Sequence, residues 1–405
     1  MSSHALVIQL ARFGDLLQTK RLVKSLQASS VVHLAVDRSL AELAGIVYPG
    51  VVVHGLDAHF SPAIQNKDVF RRNFKVISEI AENKFDLVVN LNFSGLNFSL
   101  VRLFDPSRVR GYINHSGQET RHSWTRLYFR LTSYRKLSAL NLMDFWGLFA
   151  PDPLSPDLVN PVASDKGQGL GIVLAGRDPR RSIPASTLAG MAGIFRNRVN
   201  SSRIVLLGSK AEIPLAREFR DLAGKAQTAE IEDLTGKTAL KDLPEVLGSL
   251  EMLLTPDTGT MHLAAHMGTR ITAFFISSAF CFETGPYGPG HRVFQTMPGC
   301  APCIESRKCK FDLICHEILK SRSTFRALWK DLDFTGEDAA VFNSFLDDLG
   351  VNYRPVQGLD KLADKRKALR ELIRRHLGYS PVKTDIPPEI SNIFFHEQQW
   401  MLENP

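Results

Sequence analysis

One alternation runs through most of this chain: a short apolar run, a turn of glycine or polar residues, then a longer segment whose apolar side chains recur at helical spacing. The run His4–Leu10 passes through Arg12-Phe13-Gly14-Asp15 into a segment carrying Leu16, Leu17, Leu22, Val23 and Leu26. Runs without polar interruption predict strands buried on both faces, hence a parallel sheet covered by helices. The same pattern predicts strands at 31–36, 51–56 and 85–92 and helices at 39–46, 68–83 and 96–104. Pro151-Asp152-Pro153-Leu154-Ser155-Pro156, with Pro161 beyond, breaks the periodicity and reads as a linker. A second series then begins, with strands at 171–175, 204–208, 252–254 and 271–275 and helices at 184–195, 213–222 and 240–250. The expected class is α/β: two Rossmann-like domains facing across a cleft, with ligands at the carboxyl ends of the strands.

A chain of 405 residues exceeds one typical core. The expected division is 1–155 as one Rossmann-like domain, 165–320 as a second with a cysteine-rich loop at 298–316, and 321–405 as a C-terminal helical extension. Hydrophobic residues make up 44% and charged residues 22%, which excludes a disordered or fibrous chain. The net charge of +7 suits anionic partners in general. No run approaches the roughly 20 apolar residues that span a bilayer, and the start lacks a secretory signal pattern. A cytoplasmic protein is expected, with peripheral association at the inner membrane as an option. Nucleic acid is not an expected partner, because no recognition module is evident. Between Arg121 and Leu140 the chain is basic and aromatic, read as a solvated helix packing its aromatic side in preference to an acceptor- or membrane-facing patch.

The densest chemistry lies at Thr255-Pro256-Asp257-Thr258-Gly259-Thr260-Met261-His262. A strand ends there and a helix begins, with Asp257 or Thr258 able to cap it. Free amides, the positive end of the helix dipole and Gly259 make such a turn an anion site. A second strand-to-helix turn, Gly176-Arg177-Asp178-Pro179-Arg180-Arg181, carries three guanidinium groups that match phosphate oxygens, unless it is only an exposed basic turn. Glu212, after another strand, is placed to meet a ribose hydroxyl. Leu234-Thr235-Gly236-Lys237-Thr238 is placed to line the same pocket. Asp15, at the tip of the first strand-to-helix turn, either takes a proton from an attacking hydroxyl or caps its helix. His262 either contacts phosphate or packs the helix.

Cys300, Cys303, Cys309 and Cys315 are spaced C-x2-C-x5-C-x5-C. Four thiols within so short a stretch suit tetrahedral zinc or an iron site, or else a disulfide-free loop. The expected role is structural.

The run Asp257-Thr258-Gly259-Thr260-Met261-His262-Leu263-Ala264-Ala265 resembles the donor-phosphate motif of glycosyltransferase family 9, the bacterial heptosyltransferases, and Arg12-Phe13-Gly14-Asp15-Leu16-Leu17-Gln18-Thr19 resembles the family's opening. The arginine turn departs from the family pattern: Ala175-Gly176 stands for a hydroxyl pair and Ile183 for a tryptophan, while matching from Pro184 places Arg181 on the family lysine. The resemblance implies a GT-B fold and an inverting enzyme. Its donor would be a nucleotide-sugar such as ADP-heptose; its acceptor a glycan, a lipid-linked glycan such as the lipopolysaccharide core, or a protein. Asp15 would be the base. Arg177, Arg181, Glu212, Asp257, Thr258, Gly259, Thr260 and His262 would hold the donor. Catalysis would need no metal, although some relatives that heptosylate proteins carry a cysteine-held iron at this place. A non-catalytic nucleotide-sugar-binding or assembly protein of the same fold is the alternative.

Overall fold

The computed structural model describes residues 3–59, 66–176, 178–228, 230–332, 338–379 and 386–395. The chain forms two compact units. One comprises 1–134, 142–155 and the chain from 371 onward; the other comprises 135–141 and 156–370. The division at Ser155 and Pro156 falls inside the proline-rich stretch. Two further crossings, at 135–141 and at 371, have no compositional mark.

The first unit is built on strands β1 (Ser3–Gln9), β2 (Ser30–Asp37), β3 (Val52–Leu56), β4 (Leu87–Asn90), β5 (Val109–His115) and β6 (Gln118–Arg121). They lie in the order β3-β2-β1-β4-β5-β6, parallel except for β6, which forms a hairpin with β5. Ala5 to Gln9 are wholly buried, as a strand covered on both faces requires. The helix Lys20–Gln27 packs on the helix Leu142–Gly147 through a buried ion pair, Arg21 Nη1 to Asp144 Oδ1 at 2.7 Å. Gly147 leaves room for it; a Cβ there would meet the Arg21 side chain at 2.6 Å. Arg21 Nε also donates to the Leu154 carbonyl at 3.0 Å, which fixes the start of the linker to this unit.

The second unit is an eight-stranded sheet. In chain order its strands are β7 (Leu170–Val173), β8 (Ile204–Leu207), β9 (Ile231–Asp233), β10 (Met252–Pro256), β11 (Arg270–Phe275), β12 (Arg292–Thr296), β13 (Ala339–Asp347) and β14 (Gly350–Gly358). The spatial order is β14-β13-β12-β11-β10-β7-β8-β9. β7 to β12 run parallel, and β13 and β14 are antiparallel additions. Leu170, Ile172, Leu206, Leu254 and Phe274 form the core with Leu188, Met191 and Phe195 from the helix Ala185–Arg196.

The stretch 321–405 differs from the expected helical extension. It holds the helices Arg322–Lys330, Ala363–His376 and Pro388–Phe395, but β13 and β14 complete the sheet between the first two. Ala339 to Phe342 are buried on both faces by neighbouring strand and helix, a run whose charged surroundings hid it. The basic, aromatic stretch behaves as a packed helix: in Ser123–Leu131, Trp124 and Leu127 are buried, and Trp124 Nε1 donates to the Phe145 carbonyl at 2.8 Å.

Across the first sheet three histidines form a hydrogen-bonded row. His33 lies 3.2 Å from His4 and 2.9 Å from His54, ring nitrogen to ring nitrogen. Burial, and then the neighbouring imidazoles, push the His33 pKa down to about 4; burial also lowers that of His54. At these histidines the unfolded chain therefore binds more protons over this interval, so their contribution to stability falls as pH drops from about 6.5 toward 4 and levels off below it. Thermal unfolding across that window should show the decline in the parent and a flatter profile in His33→Phe; parallel profiles would contradict it.

Candidate functional site

Strand order sets the crevice of the second unit. β7 and β10 are neighbours, yet the chain continues from them to opposite sides of the sheet, so a gap opens at their carboxyl ends. The loop after β7 and the turn after β10 meet there. Arg181 Nη2 donates to Asp257 Oδ2 at 2.7 Å and to the Asp257 carbonyl at 2.8 Å. Thr284 Oγ1 donates to the same carboxylate oxygen at 3.2 Å, and His262 Nε2 lies 3.9 Å from the other. Burial raises the Asp257 pKa, and the Arg181 charge opposes that rise. Asp257 is thus a buried carboxylate held in place by its guanidinium.

Thr258, not Asp257, caps the helix Gly259–Met267. Its backbone is extended (φ −144°, ψ 164°), and its hydroxyl accepts the Met261 amide at 3.2 Å. The amides of Gly259 and Thr260 precede any intrahelical acceptor, and Thr258, Gly259 and Thr260 are all partly exposed. The first-turn donors, the positive end of the helix dipole and Arg181 therefore meet at the same turn. His262 is buried in the helix's packed side, 4% exposed.

The two arginines of the first loop part company. Asp178 caps the short turn Pro179–Arg181 and pairs with Arg180 at 2.8 Å. Arg180 also donates to the carbonyls of Arg307, at 2.6 Å, and Glu305, so it ties this loop to the cysteine loop. Arg181 turns to Asp257 and keeps a buried Nε without a hydrogen-bond partner. The structure thus brings Arg181 to the helix turn and commits Arg180 elsewhere. Ile183 fills the core beneath them, and Arg177 lies outside the described residues.

Glu212 sits at the carboxyl end of β8 but closes a capping box, accepting the Ser209 amide at 2.6 Å. The Thr235-Gly236 turn packs against it: the Gly236 amide donates to the Gly208 carbonyl at 2.8 Å. Gly236, at φ +70°, lies where a Cβ would meet Lys210 at 2.9 Å.

Sequence reasoning missed Arg135 and Glu283. Arg135 reaches across the second unit to clasp Glu283, Nε to both carboxylate oxygens at 3.0 Å, and donates to the carbonyls of Ser278 and Cys303 at 2.7 and 2.8 Å. Burial raises the Glu283 pKa against these bonds. A separation of 148 residues along the chain left no local signal for the pairing.

In the first unit Asp15 lies at the carboxyl end of β1, where the strand order reverses between the parallel neighbours β1 and β4. Its Oδ2 accepts the Arg12 amide at 3.1 Å, and it is partly exposed in the helix Phe13–Leu17. Beside it, Asn92 Oδ1 accepts the Leu10 amide at 2.7 Å.

All four predicted metal cysteines, Cys300, Cys303, Cys309 and Cys315, line one cavity of about 390 Å³. Their settings differ: Cys309 is exposed, Cys315 is buried, and Cys303 Sγ lies 3.2 Å from Ser277 Oγ. Burial raises the pKa of Cys300 and of Cys315, which favours thiols over thiolates. Among the described residues no three His, Cys, Asp or Glu side chains are grouped as a metal site requires. The tetrahedral set expected from spacing is therefore not formed in this arrangement.

Residues 172–314 match the model of glycosyltransferase family 9 (heptosyltransferase). Lipooligosaccharide heptosyltransferase 2 of Campylobacter jejuni is 26% identical over 137 residues, which span 32% of this chain and 42% of that relative. The structure of E. coli ADP-heptose LPS heptosyltransferase II aligns with a TM-score of 0.56 at 17% identity, covering 81% of this chain and 96% of that one. A glycosyltransferase family 9 structure from Veillonella parvula aligns at 0.58 and 17% identity, over 82% and 98%. The fold of two Rossmann-like units is the GT-B fold of these structures. On these matches, residues 172–314 carry the chain's likeness to glycosyltransferase family 9, the heptosyltransferase family.

Proposed function

We propose that this chain is an inverting glycosyltransferase that moves a heptose from ADP-heptose to a hydroxyl of a cell-surface glycan, with the lipopolysaccharide core as the first acceptor to test. The observation that carries the reading is Arg181 held by Asp257 at the open N-terminus of the Gly259–Met267 helix. The family match over 172–314 and the fold shared with an ADP-heptose LPS heptosyltransferase support the choice of donor. The diphosphate is assigned to the amides of Gly259 and Thr260, the Thr258 hydroxyl and Arg181, and the nucleoside to the side of Glu212 and Thr235. Asp15 takes the acceptor proton, the acceptor oxygen attacks the anomeric carbon, and the bond to the diphosphate breaks with inversion. Charge then grows on the leaving group, where fixed donors stabilise it most.

Two substitutions test the two halves separately. Arg181→Lys keeps a charge but loses the fork that spans Asp257 and phosphate, so ADP affinity by calorimetry should fall roughly ten-fold or more, in line with the loss of a charge-assisted contact. Unchanged affinity would remove Arg181 from the donor site. Asp15→Asn retains an oxygen to accept the Arg12 amide and so preserves the helix start. Transfer should drop at least about a hundred-fold, the usual span of a lost general base, while ADP binding stays near the parent's.

A second reading is favoured by one observation: the Asp15 carboxylate is already engaged as a helix cap. A nucleotide-sugar-binding protein without transfer would bind ADP-heptose, tolerate Asp15→Asn and turn nothing over. The cysteine loop bears on neither reading. A structural zinc or iron ion there would require Cys300, Cys303, Cys309 and Cys315 to draw inward across their cavity. Elemental analysis of the purified chain would then give about one ion per molecule, lost together in Cys300→Ser and Cys303→Ser; a metal-free, equally stable protein would leave the loop as packing alone.

A further inference from the structure

The helix Asn66–Ala81 carries an exposed aromatic pair that nothing in the transferase reading uses. Phe70 and Phe74 are 71% and 62% exposed, and their rings stack on each other at 6.1 Å. The helix does not need them for attachment, because Val69 and Ile80 on its other side are buried in the first unit. Lys67, Arg71 and Lys75, spaced four residues apart, form an exposed ridge beside the phenylalanine row. Arg72, by contrast, turns away to Asp57 at 2.9 Å, and the acidic residues Asp68 and Glu79 fall on the flank beyond Lys75.

We infer that this face docks on an anionic lipid surface, with Phe70 and Phe74 entering the headgroup boundary while Lys67, Arg71 and Lys75 pair with lipid phosphates. Large apolar side chains edged by a basic ridge, on a helix anchored along its opposite side, are the arrangement that interfacial binding rewards. A second copy of the chain fits the patch poorly. Two phenylalanines bury about 150–250 Å² each, short of the roughly 800 Å² per partner of a stable interface, and a self-matched contact would set the basic ridges against each other. The aromatics of the Ser123–Leu131 helix do not compete for the role, since Trp124 is packed inside.

The inference stands independently of sugar transfer and has its own test. The full chain is sedimented with vesicles of phosphatidylethanolamine and phosphatidylglycerol, or of phosphatidylcholine alone, at low and high salt. The parent should partition onto the anionic vesicles in a salt-sensitive manner and hardly onto the neutral ones. Phe70→Ser with Phe74→Ser should weaken that partition at least ten-fold. Each of Lys67→Gln, Arg71→Gln and Lys75→Gln should weaken it roughly five-fold, the usual effect of one basic residue near such a surface. All five positions are exposed, so the variants should melt with the parent and bind ADP as it does. Equal partition of parent and variants, no preference for anionic vesicles, no binding to any vesicle, or a dimer that dissociates in the double serine variant would each overturn the inference.

Discussion

An arginine and a carboxylate drawn from loops 76 residues apart set the shape of the second unit's crevice. Neither is comfortable alone. Burial pushes Asp257 toward its neutral form, and a buried charge stripped of its partner costs several kcal/mol, so the two loops are locked together wherever either group stays ionised. Thr284 completes the acceptor set of the carboxylate, and Arg180 anchors the same loop outward to the cysteine segment. Beside the first turn of the following helix, Arg181 keeps Nη1 4.0 Å from Glu305, and its Nε is buried without a hydrogen-bond partner. Under the proposed function, donors already fixed at this turn would meet an anion with little rearrangement, which is the condition for stabilising charge that appears only as a bond breaks.

Arginine plays a second, structural part in the same unit. Arg366 and Arg370 on the helix Ala363–His376 reach the carbonyls of Lys136 and Ala139, and each is also paired with an aspartate, Asp360 and Asp347. Arg135, on that same short segment, clasps Glu283. Residues 135–141 are therefore held by guanidinium groups at both margins, and Arg366 is stacked over Phe282 at 4.0 Å. These planar forks satisfy several acceptors at once, which lysine could not do.

Most of the sheet framework could be read from the chain because its signals are local. The strands at Ser3–Gln9, Ser30–Asp37 and Met252–Pro256 and the helix Ala185–Arg196 follow from uninterrupted apolar runs and helical spacing alone. The cap at Thr258 likewise needs only its neighbours. The hairpin β13–β14 escaped notice because Asn343, Asn352 and Arg354 interrupt its apolar run, and its burial comes from β12, more than forty positions upstream. The pairing of Arg181 with Asp257 was only half legible. Motif spacing marked both residues, but not that each would occupy the other, nor that Arg180 would turn away. Arg135 and Glu283 were invisible for the same reason: a salt bridge between distant segments leaves no imprint on either. The four clustered cysteines line one cavity, but among the described residues no three metal-binding side chains are grouped there.

The chain's path between its units has a consequence for synthesis. Because 135–141 joins the second unit and the residues after 370 return to the first, the first unit is not complete until the chain beyond 370 has left the ribosome. The growing chain must carry a first unit that still lacks its segment from 371 onward while some two hundred residues of the second are emerging, at a pace of about 5–20 per second. Severing the gene at the proline-rich stretch would then yield two fragments each missing a strap. Such a fold is made as one molecule, and its halves are better regarded as interleaved than as beads on a string.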